Sequence, residues 1–225
     1  MINILKQNMS ESDFEAFMID YDSLYKQKNN KKLWRLAMSS KRGSVPYIKE
    51  FFDTISDKYN YIAYRNSVQS NKDIFYIIIG YYQIERNADD IKECLRLHYT
   101  IETYIAFMVE WILFNEIKAN TNYRVYQNKM LDTEKKADLL CNSIYYQIKN
   151  KSFIYDSDNT GNLIEAYRKA NNRLFFIFYT TEEDNIYICA VNNKPFLFID
   201  EIDDFSFIYD YSLINIKDFI KYLKW

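Results

Sequence analysis

Leu174-Phe175-Phe176-Ile177-Phe178-Tyr179-Thr180 is the stretch on which the fold of this 225-residue chain turns. A strand with one face in water alternates apolar and polar residues. From Leu174 to Phe178 every position is apolar, so both faces of this strand must be covered. Working outward, Ile186–Val191, Pro195–Asp200 and Phe205–Tyr211 have the same β-branched and aromatic texture. They are joined by the polar clusters Glu182-Glu183-Asp184-Asn185, Asn192-Asn193-Lys194 and Glu201-Ile202-Asp203-Asp204, which predicts a four-stranded antiparallel meander. Helices over Asn162–Ala170 and from Asn215 onward flank it and cover one side. The other side is left to the N-terminal helices.

Those helices are read from residues 1–150. Ser12 with Glu15 reads as a capping box, followed by an apolar stripe of Phe14, Phe17, Met18, Tyr21, Leu24 and Tyr25. Ser44 caps a second helix with Pro46 in its first turn and Ile48, Phe51, Phe52 and Ile55 inside. Asn87, Asp89 and Asp90 open a long helix through Ile91, Leu95, Ile101, Ile105, Met108 and Ile112, about 45 Å long if unbroken to Lys118. A last helix is predicted from about Thr133 to Lys149, carrying Ala137, Leu140, Cys141, Ile144 and Ile148. Ile74–Ile79 fits helix and strand equally. The expected fold is therefore α+β, with a mostly helical N-terminal two-thirds packed on the C-terminal four-stranded antiparallel meander and its flanking helices. Residues 1–150 form the helical region and 151–225 the α/β region, one integrated unit without a Pro/Gly/Ser linker.

Composition narrows function by exclusion. The chain has three Gly, two Pro and one His against 16 Phe, 22 Tyr and three Trp. The bias follows A/T-rich codons, yet its consequence stands: a phosphate-cradling loop needs glycine, and many proton-transfer and metal sites need histidine. Cys94, Cys141 and Cys189 lie far apart in apolar segments, as buried reduced thiols do in a cytoplasmic protein. The longest apolar run, Ile74–Tyr82, is far short of the ~20 residues that span a membrane, and Met1–Phe14 has no signal-peptide core, so no membrane association is expected.

Phe196-Leu197-Phe198-Ile199-Asp200-Glu201-Ile202-Asp203 resembles the Walker B strand of the AAA+ ATPases over eight residues, but no G-x-x-x-x-G-K-[ST] loop accompanies it. Gly43-Ser44 with Asp53 resembles the nucleotidyltransferase signature, except that Ile55 stands where a second carboxylate belongs. Arg86-Asn87 and His98 resemble the Arg and His pair of the HEPN ribonucleases, at too wide a separation to grip one phosphate within one subunit. Cys94, His98 and Glu102 line one helix face, yet lack the further ligands of a structural zinc site. No catalytic residue, metal ligand or cofactor is assigned on these grounds.

Two charge features remain. Between Ser23 and Lys49 there is no acid, while Lys26, Lys28, Lys31, Lys32, Arg35, Lys41, Arg42 and Lys49 are interleaved with Tyr25, Trp34 and Tyr47, a mixture suited to nucleic acid or an acidic protein. In the meander the first and third turns emerge together, gathering Glu182, Glu183, Asp184, Asp200, Glu201, Asp203 and Asp204 along one edge. The expected function is a non-catalytic macromolecule-binding protein: a cytoplasmic regulator, inhibitor or adaptor of the kind phages and mobile elements carry. Its partner is a protein, with nucleic acid as the alternative ligand of residues 26–49. Two other readings are carried: a metal-dependent nuclease or phosphodiesterase using the 200–204 cluster, and a single-stranded nucleic-acid-binding protein.

Overall fold

The computed structural model describes residues 1–40, 59–70, 89–155, 159–182, 185–191, 194–195 and 211–223. They fall into two compact units, Leu5–Met108 and Met1–Ile4 with Val109–Trp225. Among the described residues no helix is long and apolar enough to cross a membrane.

The first unit is helical. It contains most of α1 (Ile2–Asn8), then α2 (Glu11–Asn29), α3 (Lys31–Ser40), α4 (Tyr61–Ser70) and the first part of α5 (Asp89–Asn120), the predicted long helix. Helix α2 starts two residues earlier than its capping box implies: Ser10 is the N-cap, its Oγ accepting from Asp13 N at 3.2 Å. The buried face of α2 is Asp13, Phe17, Asp20 and Leu24, whereas Tyr25 from the predicted stripe is 59% exposed. Two aspartates are buried here because each meets donors. Asp13 accepts from Ser10 Oγ (2.6 Å) and Ile62 N (3.0 Å), and Asp20 accepts from Tyr61 Oη (2.9 Å) with Arg65 Nε at 2.8 Å. Around them Phe17, Tyr61, Tyr64 and Tyr104 pack as an aromatic core. Tyr64 and Tyr104 spend their hydroxyls on the Thr100 and Tyr59 carbonyls.

The second unit is built on a six-stranded sheet: β1 (Val125–Tyr126), β2 (Leu139–Cys141), β3 (Ile144–Asn150), β4 (Leu174–Glu182), β5 (Asn185–Ala190) and β6 (Ser212–Asn215), in sequence order across the sheet. All neighbours are antiparallel except β3 and β4, which run parallel from Tyr145↔Leu174 to Asn150↔Tyr179. Parallel neighbours need a crossover, here a 3₁₀ turn (Lys151–Tyr155) and α7 (Asn159–Lys169). Between β1 and β2 lies the short helix α6 (Lys129–Lys135), and Asn215 caps α8 (Ile216–Phe219).

Both sheet faces are covered, as the Leu174–Phe178 run requires. Leu174, Phe176 and Phe178 join Leu163, Ala166 and Ala170 of α7, while Ile177 and Tyr179 join Val109, Ile112, Leu113 and Ile117 of α5. The two local helices nevertheless lie on opposite faces, because Ile216 and Phe219 of α8 pack with the α5 side. The four-stranded antiparallel meander is corrected to six strands in a mixed sheet, and the helix predicted over Thr133–Lys149 to α6 followed by the β2–β3 hairpin. Its apolar residues satisfy a helical period, but Asn142 and Ser143, at φ 48° and 69°, make a two-residue turn that reverses the chain. Asn171, Asn172 and Lys136 also take left-handed backbone, so in this glycine-poor chain asparagine and one lysine supply turns usually left to glycine. The second edge of β5 is taken by β6 from Tyr187↔Asn215 to Ala190↔Ser212. The predicted helix at Ser44, the run 74–79 and most of the strands at 195–200 and 205–211 lie outside the described residues.

Candidate functional site

The β2–β3 register brings together three polar side chains. The β2–β3 ladder ends at Leu139↔Tyr146, Asp138 is the residue just before β2, and Gln147 and Lys149 lie two residues apart on one side of β3. Tyr145, two residues before Gln147 on β3, packs against the α7-side apolar cluster, which puts Gln147 on that face. Asp138 is held by the sheet itself: its N donates to Tyr146 O at 2.9 Å and its Oδ2 accepts from Ile148 N at 2.6 Å. Lys149 Nζ lies 3.6 Å from the same Oδ2, with the Asp138 side chain only 1% exposed.

Gln147 completes the group. It is 8% exposed, and its Oε1 is buried with no hydrogen-bond partner. Leaving an amide oxygen unsatisfied costs about 1–3 kcal/mol, so such an atom in a native fold calls for a role. A buried carboxylate and an unmatched amide oxygen across one strand pair are hard oxygen donors of the kind Mg²⁺ or Mn²⁺ takes, and an ammonium beside them is a partner for phosphate. Comparison of the chain with protein-family models, curated proteins and solved structures yields no match. The reading of the site therefore rests on its own chemistry.

The residues singled out by charge are distributed differently from the sequence expectation. Lys26, Lys31, Lys32 and Arg35 are exposed on α2 and α3. Lys28 and Trp34 turn to α5 instead: Lys28 Nζ is 3.2 Å from Glu102 Oε1 and 5.2 Å from the Trp34 ring centre, and Trp34 meets His98 edge-on at 5.3 Å. His98 Nδ1 is 3.8 Å from Glu102 Oε1, and burial pushes the Cys94 thiol above its ordinary pKa. Among the described residues no three His, Cys, Asp or Glu side chains converge as metal ligands. All three cysteines are buried and outside any disulfide. Glu182 is exposed at the end of β4, while Lys41, Arg42, Glu183, Asp184, Asp200, Glu201, Asp203 and Asp204 lie outside the described residues.

Sequence reasoning passed over Asp138, Gln147 and Lys149 because it placed them on a helix. Their signal was the alternation Ile144, Tyr146, Ile148 against Tyr145, Gln147, Lys149, a strand with one polar edge.

Proposed function

We propose that this protein is a divalent-cation-dependent phosphodiesterase acting on nucleic acid, with Asp138, Gln147 and Lys149 as its site. The observation that carries the reading is the buried Asp138 carboxylate, held by Ile148 N and 3.6 Å from the Lys149 ammonium, with the buried Gln147 Oε1 unpartnered on the same strand. Asp138 and Gln147 are the residues that would hold the cation, which would supply Lewis acidity and a water of lowered pKa. Lys149 presents its ammonium to the non-bridging phosphoryl oxygens, where negative charge grows as the water oxygen attacks phosphorus. The phosphorus bond to the leaving sugar oxygen breaks, that oxygen departs with a proton, and the products are a phosphate monoester and a free hydroxyl. This assigns the phosphodiesterase chemistry to Asp138 and Gln147 in place of the acidic turn at 200–204.

A second reading has its own support. Tyr25, Lys26, Lys31, Lys32 and Arg35 are exposed along α2 and α3, which suits non-catalytic binding of a protein or nucleic-acid partner, as in a regulator, inhibitor or adaptor. One experiment separates the two. Labelled DNA and RNA strands are incubated with the full chain and Mg²⁺ or Mn²⁺, with chelator as control. Cleavage that needs the cation and drops about a hundredfold in Asp138→Asn supports the enzyme. Salt-sensitive binding with no cleavage under any condition supports the binder.

A further inference from the structure

A cavity of about 480 Å³ is lined by Leu140, Ser143, Tyr145, Ala170, Asn171 and Arg173. Leu140 and Tyr145 are paired across β2 and β3, and Tyr145 is the same-face position next to Gln147. Two residues along a strand span about 7 Å, so the cavity opens one side-chain step from the proposed site. Its far wall is fixed to the same strand: Tyr145 N donates to Arg173 O at 3.2 Å, and Arg173 N donates to Ala170 O at 3.2 Å.

The lining is mixed in a particular way. Tyr145 is a half-buried aromatic and Leu140 an aliphatic residue of the lining, while Ser143 and Asn171, both in left-handed turns, and the exposed Arg173 add a hydroxyl, an amide and a guanidinium. An aromatic plane with a neighbouring guanidinium and amide is the chemistry that recognises a base with its attached phosphate, by stacking and by forked hydrogen bonds. The volume lies within the range of small-ligand sites and admits one nucleotide unit.

We infer that this cavity is the subsite for one nucleotide of the substrate strand, stacked on Tyr145 and gripped by Arg173, adjoining the phosphodiester that is hydrolysed. The identity of the strand as substrate rests on the phosphodiesterase reading, whereas nucleotide binding by the cavity does not. A base inside the cavity has left its helical stack, so the favoured substrate is a single strand or a frayed end.

Two readouts on the full chain keep these claims apart. Calorimetric binding of the four nucleoside monophosphates reports the cavity, and cation-dependent hydrolysis of bis(p-nitrophenyl) phosphate, which has no base, reports Asp138, Gln147 and Lys149. Tyr145→Leu and the exposed Arg173→Gln should each weaken nucleotide binding about tenfold. The arginine variant guards against a folding defect at the more buried tyrosine. Wild-type protein that binds none of the four nucleotides, or binding unaltered in Arg173→Gln, overturns the subsite. Loss of nucleotide binding in the variants alongside no hydrolysis of the small diester by any protein leaves the subsite standing and overturns the enzyme.

Discussion

Lys149 Nζ stands 3.6 Å from Asp138 Oδ2, an oxygen already taken by the Ile148 amide, so one buried carboxylate oxygen gathers a backbone donor and a side-chain cation. Beside it the Gln147 amide oxygen has no partner. The predictions for the site follow from this unmatched acceptor.

Gln147→Leu should stabilise the cation-free protein by about 1 kcal/mol, since it replaces an unsatisfied buried acceptor by an apolar group of similar size. The same change should erase any rise in melting temperature on adding Mn²⁺. Gln147→Glu, which adds a second carboxylate, should enlarge that rise. Thermal melts of the three proteins with and without Mn²⁺ test this, and a wild-type melt that does not respond to the cation speaks against the site.

The buried Asp20 holds the helical unit together through Tyr61 and Arg65. Asp20→Ala strips both donors of their acceptor and should cost about 3 kcal/mol, at the low end for a buried pair because Arg65 is partly exposed. Tyr61→Phe removes one bond and should cost about 1 kcal/mol. Denaturant unfolding of each variant gives the comparison. Equal losses would mean that the phenol, and not the ion pair, dominates.

Burial raises the pKa of Tyr61, Tyr64, Tyr104 and Tyr146 above the ordinary phenol value of 10.0. With the folded value above the unfolded one, their stabilising contribution is complete below pH 10 and declines as pH rises beyond it, because the unfolded chain releases its phenolic protons first. In an alkaline titration, phenolate absorbance from these residues should appear together with loss of helical circular dichroism. Their ionisation while the fold persists would contradict the burial.

Asn142 sits at φ 48° in the β2–β3 turn, where a Cβ without local hydrogen bonding is penalised. Asn142→Ala should therefore cost about 1–2 kcal/mol, and Asn142→Gly should be nearly neutral. Because Asn142 Oδ1 also accepts from Arg124 N at 3.3 Å, glycine is expected to lose a small part of its conformational advantage. Chemical denaturation of both variants decides between backbone conformation and the side-chain bond as the main contribution.

The sequence by itself determined the parts governed by local periodicity and by the need to cover apolar surface. The helix at Asp89–Asn120, the strand run at Leu174–Phe178 with both faces buried, the helix after Asn159 and the Asn215 cap were all legible, since each depends on residues a few positions apart. What tertiary structure alone decided was pairing. Ala137 to Ile148 satisfies a helical spacing, and only the ladder from β3 to β4 turns it into strands. The β2–β3 turn then brings Asp138 against Ile148 and Lys149, and no short-range signal announces such a meeting. The exposed cations of α2 and α3 could be read from charge, but that Lys28 and Trp34 turn toward α5 could not, because their partners Glu102 and His98 are far along the chain. Where contacts are local, spacing specifies them; where they join distant segments, the competition for buried surface and hydrogen bonds does, and that competition is settled only in three dimensions.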